Sequence, residues 1–211
     1  RNDEAENTPT SGTVEIAADE CFSPIIDEEI AVFESLYKEA GIIPHYSGET
    51  EAINLLLNDS VWMAITSRPL TDQETNYMNK LFPRTITVAY DAIALIVNRQ
   101  NPDSLIGLPV LKDIFTGKIS NWNEIGTGNK TGNIEVVFDN PNSSTVRYAI
   151  DSICQGKQLS GKLHAANSNK TVIRYVADHP GALGIIGVNW IGNPADSTGL
   201  SFKEDITVMS V

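Results

Sequence analysis

Four short polar stretches stand directly before helical patterns, and their residue types suit the holding of an oxyanion. They are Asp19-Glu20-Cys21-Phe22-Ser23, Ser47-Gly48-Glu49-Thr50, Thr66-Ser67-Arg68-Pro69-Leu70 and Asp139-Asn140-Pro141-Asn142-Ser143-Ser144-Thr145. A helix start leaves backbone N–H groups without intrahelical partners and carries the positive end of the helix dipole. Serine and threonine hydroxyls add neutral donors, and the planar fork of Arg68 matches a tetrahedral oxyanion. Taken singly, each stretch is better explained as plain helix capping, which prefers the same residues, and only the four together on one edge weaken that explanation. Arg68 alone is more often a surface ion-pair partner than a ligand clamp.

Other chemistry is missing. The sequence has no G-x-S-x-G, no H-E-x-x-H, no P-loop and no G-x-G-x-x-G after a strand. Gly126-Thr127-Gly128 falls in a loop. Two cysteines (Cys21, Cys154) and three histidines (His45, His164, His179) lack metal-ligand spacing, so no metal, cofactor or catalytic residue is expected. Acid pairs such as Asp27/Glu28 lie on an amphipathic helical pattern and read as solvated. The 211 residues carry 27 acids against 15 bases, a formal charge of -12, which argues against nucleic acid as a partner. Every apolar run is far below the roughly 20 residues that span a bilayer.

The elements that must position these loops alternate. Strand patterns at Thr13–Ala17, Ile42–Tyr46 and Val61–Thr66 are each followed by a helical one. Ser23-Pro24 predicts an N-cap with proline at the first helical position, and Gly41 ends that run. Residues Thr50–Asn58 predict a short helix. Thr71 and Glu74 have capping-box spacing and open a helix to about Leu81. Two apolar runs, Thr85–Ala89 and Ala92–Asn98, follow. Then come helices near Pro109–Thr116, from Ser144 and over Lys170–His179, with strands at Ile134–Phe138 and Ala182–Val188. This alternation predicts an open α/β architecture, in which ligands bind beyond the carboxyl ends of strands. Residues 1–12, polar and acidic, read as a flexible tether. A start at Arg1 leads to the expectation that a leader was removed. A cysteine upstream of Arg1 would then carry a lipid anchor, which implies an extracytoplasmic location, in the periplasm or at the cell surface.

A longer pattern resembles a known family. Ala89-Tyr90-Asp91-Ala92-Ile93-Ala94-Leu95-Ile96-Val97-Asn98 is followed by Asp113-Ile114-Phe115-Thr116-Gly117-Lys118-Ile119 and Asn121-Trp122. Asn142-Ser143-Ser144-Thr145 and Pro180-Gly181-Ala182-Leu183-Gly184 come next, in the same order. From Thr13 to Val211 the chain resembles PstS-like phosphate-binding proteins of bacterial phosphate ABC transporters. The resemblance implies a two-lobed periplasmic-binding-protein fold, each lobe an open mixed sheet flanked by helices, joined by a two-strand hinge. Lobe I would hold residues 13–88 and 187–211 and lobe II residues 89–186, with hinge crossings near Ala89–Ala92 and Gly184–Val188. It implies a monomer that performs no chemistry, closes on inorganic phosphate between its lobes and hands it to the membrane permease of an ABC transporter.

By the same resemblance, the phosphate-binding residues would be Glu20, Cys21, Phe22, Thr50, Ser67, Arg68, Ser143, Ser144 and Thr145. Asp19, Glu49, Asp139 and Arg147 would be proton acceptors or charge partners. Ser144 stands where the family has glycine, and Asp139 stands where relatives carry an arginine. Asp19, Glu20, Glu49, Glu51 and Asp139 would crowd the anion with carboxylates. Each unpaired one at ~4 Å costs on the order of 4 kcal/mol at an effective dielectric of ~20. Some would therefore turn to Arg68, Arg147 or backbone N–H groups, or one would accept the proton of the phosphate. Two alternatives stay open: a binder of another oxyanion, and a cell-surface sensing or interaction protein that has lost phosphate. If Ser144 and Cys21 meet one ligand, Cys154, a helix of ~15 Å away, is too far from Cys21 to bridge, so free thiols are expected.

Overall fold

The computed structural model describes residues 8–78, 83–126, 128–192 and 204–211. The chain divides into two compact units, Arg1–Tyr90 and Asp91–Val211.

In the first unit, β1 (Ser11–Asp19) lies between β2 (Glu39–Ser47) and β3 (Met63–Ile65), and all three run parallel. Parallel neighbours need crossovers, which α1 (Ser23–Leu36) and α2 (Glu49–Leu57) supply. The two-residue alternation of β1 feeds both faces. Ile16 and Ala18 pack with Ile26 of α1, whereas Ala17 packs with Ala52 of α2 and with Val61. The capping box forms as predicted at the start of α3 (Asp72–Tyr77). Thr71 Oγ1 accepts from the Glu74 amide at 3.3 Å, and Glu74 accepts from the Thr71 amide at 2.7 Å. The predicted end at Leu81 lies outside the described residues.

Three expectations change in this unit. Helix α1 ends at Leu36, and Gly41, expected to end it, lies inside β2. Ser23 is not the cap of α1. A 3₁₀ turn over Glu20–Phe22 runs straight into the helix, and Asp19 caps that turn instead. The apolar run Thr85–Ala89, expected to lead into a hinge crossing, is in no sheet, and Ile86, Val88 and Tyr90 are exposed. Its β-branched run has the propensity, but among the described residues no neighbour offers it a ladder.

The second unit has a five-stranded mixed sheet in the order β6-β5-β7-β4-β8. These strands are β4 (Ile93–Asn98), β5 (Glu135–Phe138), β6 (Leu163–Ala165), β7 (Ala182–Gly187) and β8 (Ile206–Val208). Strand β5 is parallel to β6 and β7, whereas β4 is antiparallel to β7 and β8. One face buries Leu95, Val97, Leu183 and Ile185 against α4 (Leu108–Phe115) and the segment around Ala149 and Cys154. The other buries Ala94, Ile96, Ala182 and Ile186 against α6 (Asn169–Asp178). Of residues 187–211, expected in the first lobe, Ile206–Val208 pair with β4, and Ile206 and Met209 pack in the core of the second unit.

The family-like D-I-F-T-G-K-I-x-x-W stretch is a structural device. Phe115 and Trp122 are fully buried, and Gly117, at φ +74°, turns the chain out of α4. The Trp122 indole N–H donates to the Gly181 carbonyl at 3.0 Å. On β7, a Cβ at Gly184 would lie 2.7 Å from Ile96 Cγ1, 2.8 Å from Val176 Cγ2 and 3.0 Å from Val172 Cγ1. Gly184→Ala is therefore expected to cost about 1–3 kcal/mol in urea unfolding, because α6 must lift from the sheet. An unchanged midpoint would show that α6 is not held against β7. Both cysteines are buried free thiols, as expected. Among the described residues no helix is long and apolar enough to cross a membrane.

Candidate functional site

The polar loops lie where the alternation put them, at the carboxyl ends of strands. In the first unit, Asp19 ends β1 and is fully buried. Its Oδ1 accepts from the Cys21 amide at 3.0 Å, which fixes the Glu20–Phe22 turn. Cys21 is buried, while Glu20 and Phe22 are partly buried. Gly48 caps α2 with its backbone alone, so the first turn is filled by Glu49, buried, and Thr50, exposed.

Glu49 is the organising group of this unit. Its Oε1 accepts both from the Ser67 amide at 2.9 Å and from the Ser67 hydroxyl at 2.8 Å. Its Oε2 lies 3.9 Å from Arg68 Nε. A hydroxyl has one proton, so Ser67 spends its own on Glu49 and offers only lone pairs elsewhere. The Arg68 fork meets the Glu74 carboxylate in two parallel bonds of 2.8 Å each. Arg68 thus neutralises two carboxylates of its own unit. Glu74 was not among the site residues expected from the sequence, and its capping-box spacing gave no hint of a second role.

The Arg68 bond holds the Glu74 carboxyl down at about 2 against an ordinary 4.5, with the Thr71 amide adding to it. A carboxylate whose folded pKa is depressed stabilises the fold above its unfolded pKa and loses that contribution as pH falls through the folded one. Unfolding midpoints should therefore drop between about pH 4.5 and pH 2. Arg68→Ala should flatten that drop. An identical pH profile in the variant would show that the pair contributes nothing.

In the second unit, Asp139 follows β5 and is fully buried. Its Oδ1 accepts from Ser143 Oγ at 2.6 Å and Thr145 Oγ1 at 3.0 Å, and its Oδ2 faces Asn169 Nδ2 at 3.5 Å. Ser143 also caps α5 (Ser144–Tyr148), its oxygen accepting from the Val146 amide at 3.3 Å. The helix continues through a π-type turn over Ala149–Ile153. Ser143, Ser144 and Thr145 are all buried. Arg147 lies 3.6 Å from Asp151, one turn along.

Asn169 was not among the site residues expected from the sequence. It is fully buried, faces Asp139 and accepts from the Gly187 amide at 3.0 Å. The signal was available, because Asn167-Ser168-Asn169 is a fifth polar loop before a helix. Ser168 caps α6 through the Thr171 amide at 3.2 Å. Among the described residues no cluster of histidine, cysteine and carboxylate groups could hold a metal.

The two units repeat one motif. In each, a buried carboxylate accepts from hydroxyls beside a helix start, Glu49 from Ser67 and Asp139 from Ser143 and Thr145, whose two oxygens lie 2.9 Å apart. Hydroxyl oxygens so oriented, next to helix-start N–H groups, have the chemistry to meet an oxyanion that still carries a proton.

The model of the PBP superfamily domain matches residues 3–211. Protein SphX of Synechococcus elongatus is 25% identical over 79% of this chain and 51% of that protein. Phosphate-binding protein PstS of Borreliella burgdorferi is 26% identical over 98% of this chain and 72% of that protein. The chain thus spans about half of the first relative's length and under three quarters of the second's. Among solved structures, a candidate phosphate ABC transporter substrate-binding protein from Clostridium perfringens, with bound phosphate, superposes at a TM-score of 0.75. It is 23% identical, and the match covers 94% of this chain and 86% of that one.

Proposed function

The chain belongs to the PBP superfamily, and on that footing we propose that it binds inorganic phosphate. The observation that carries the reading is the buried Asp139–Ser143–Thr145 cluster at the start of α5. Relatives named for phosphate binding support it. The proposed ligand is phosphate that retains a proton. Backbone N–H groups hold its bare oxygens, and the hydroxyl oxygens oriented by Asp139 accept from its O–H. Glu20, Cys21, Phe22, Thr50, Ser67, Ser144 and Asn169 remain candidate neighbours of the anion. Arg68 and Arg147 act as charge partners.

Closure on the ligand, delivery to the membrane permease of an ABC transporter and an extracytoplasmic location belong to the same proposal, all supported by the family. Permease-coupled ATP hydrolysis that rises with phosphate only when this chain is present would test the delivery step.

Thr145→Val keeps the shape of the side chain and removes its hydroxyl. Phosphate affinity should fall about tenfold or more, the worth of one bond inside a desolvated site. Titration calorimetry reads this directly, and an unchanged affinity would remove the α5 loop from the ligand. A second reading is favoured by the way Glu49 and Glu74 occupy Ser67 and Arg68. It is a binding or sensing protein that has given up phosphate, and it predicts no binding at all.

A further inference from the structure

The charge of the molecule is not evenly shared. Residues 1–90 carry 16 acids and 5 bases, net -11, whereas residues 91–211 carry 11 acids and 10 bases, net -1. Helix α1 concentrates this, with Asp27, Glu28, Glu29 and Glu34 and no basic residue.

Helix α1 also has two apolar lines. Ile26 and Ile30 face the core of the first unit. Ile25, Val32 and Leu36 form a second line and are 47%, 57% and 70% exposed. At about 100° per residue these three fall within roughly 40° of one another on the helix surface. Single exposed apolar residues need no explanation, but three in register along one helix, edged by Glu28 and Glu29, form a stripe.

We infer that the outer face of α1 is a docking surface for a cationic amphipathic protein segment, with apolar side chains on the stripe and lysine or arginine opposite the flanking acids. Charge selects this occupant. A second copy would bring another net -11 unit against the first, and anionic lipid would be repelled in the same way. The inference rests on the charge partition and the stripe, and not on the phosphate reading.

The test uses the full chain and labelled 18-residue helical peptides at physiological salt. One peptide has a leucine face and a lysine face, one has leucine and glutamate, and one has serine and lysine. The leucine–lysine peptide should bind. The other two should bind at least tenfold more weakly, since each lacks one of the two complementary features. Val32→Ser/Leu36→Ser, which leaves the charge unchanged, and Glu28→Lys/Glu29→Lys should each weaken it at least tenfold, while phosphate titration stays as in the parent chain. Equal binding of the serine–lysine peptide, or full binding by the Val32→Ser/Leu36→Ser variant, would overturn the proposal. So would sedimentation showing a dimer of the parent chain that the double variant loses, because the stripe would then belong to a second copy.

Discussion

Asp139→Asn is expected to let sulphate in. In the native chain the hydroxyls of Ser143 and Thr145 donate to the Asp139 carboxylate, so in the proposed site their oxygens would meet the ligand as acceptors. Sulphate has no proton to give at neutral pH and would meet lone pairs with lone pairs. In the variant the shared acceptor is a neutral amide oxygen, weaker than the carboxylate oxygen that takes both hydroxyl protons in the native chain, so a hydroxyl can turn outward to donate to a facing anion. Turning one opposed contact into a hydrogen bond is worth at least about 1.4 kcal/mol, hence tenfold or more in sulphate affinity. The phosphate-to-sulphate ratio should fall by the same factor. Competition titration reads it, and unchanged sulphate affinity would reduce Asp139 to a structural acceptor for the α5 loop.

The largest loss of stability is expected at Trp122. Its ring is fully buried in the second unit, among Phe115, Ile134 and Leu183, and its N–H is bonded to the Gly181 carbonyl. Trp122→Ala removes the packing and leaves that carbonyl short of a donor, at a cost of about 3–5 kcal/mol. Trp122→Phe keeps most of the volume and should cost clearly less. Phosphate affinity of the folded Trp122→Phe protein should match the parent chain, because the tryptophan supports the sheet and does not address the ligand. A phosphate defect in the folded phenylalanine variant would contradict a purely structural role for the D-I-F-T-G-K-I-x-x-W stretch.

Local rules made the loops legible. A helix start needs a cap, so Asp19, Thr71, Ser143 and Ser168 stand where strand gives way to helix, and the capping box at Thr71 could be read from spacing alone. Strands β4 and β7 were visible in the apolar run Ala92–Asn98 and the strand pattern Ala182–Val188. The missed features depend on partners distant in sequence. Nothing local says that Glu49 takes the donors of Ser67 eighteen residues on, or that Asn169 meets Asp139 thirty residues away. Nor does Thr85–Ala89 reveal that its strand propensity finds no ladder among the described residues, since pairing is a property of the neighbour as much as of the run. Capping also explains why Arg68 read as an anion clamp. Its sequence context shows the fork but hides Glu74, which is brought to it only by the turn into α3.

Phosphate binding itself is tested most directly by calorimetric titration of phosphate, with sulphate in parallel, into protein freed of bound ligand by unfolding and refolding. Heat from phosphate with a one-to-one endpoint, and none from sulphate, is the expected result. Silence from phosphate on demonstrably refolded protein, or equal heat from both anions, would contradict it.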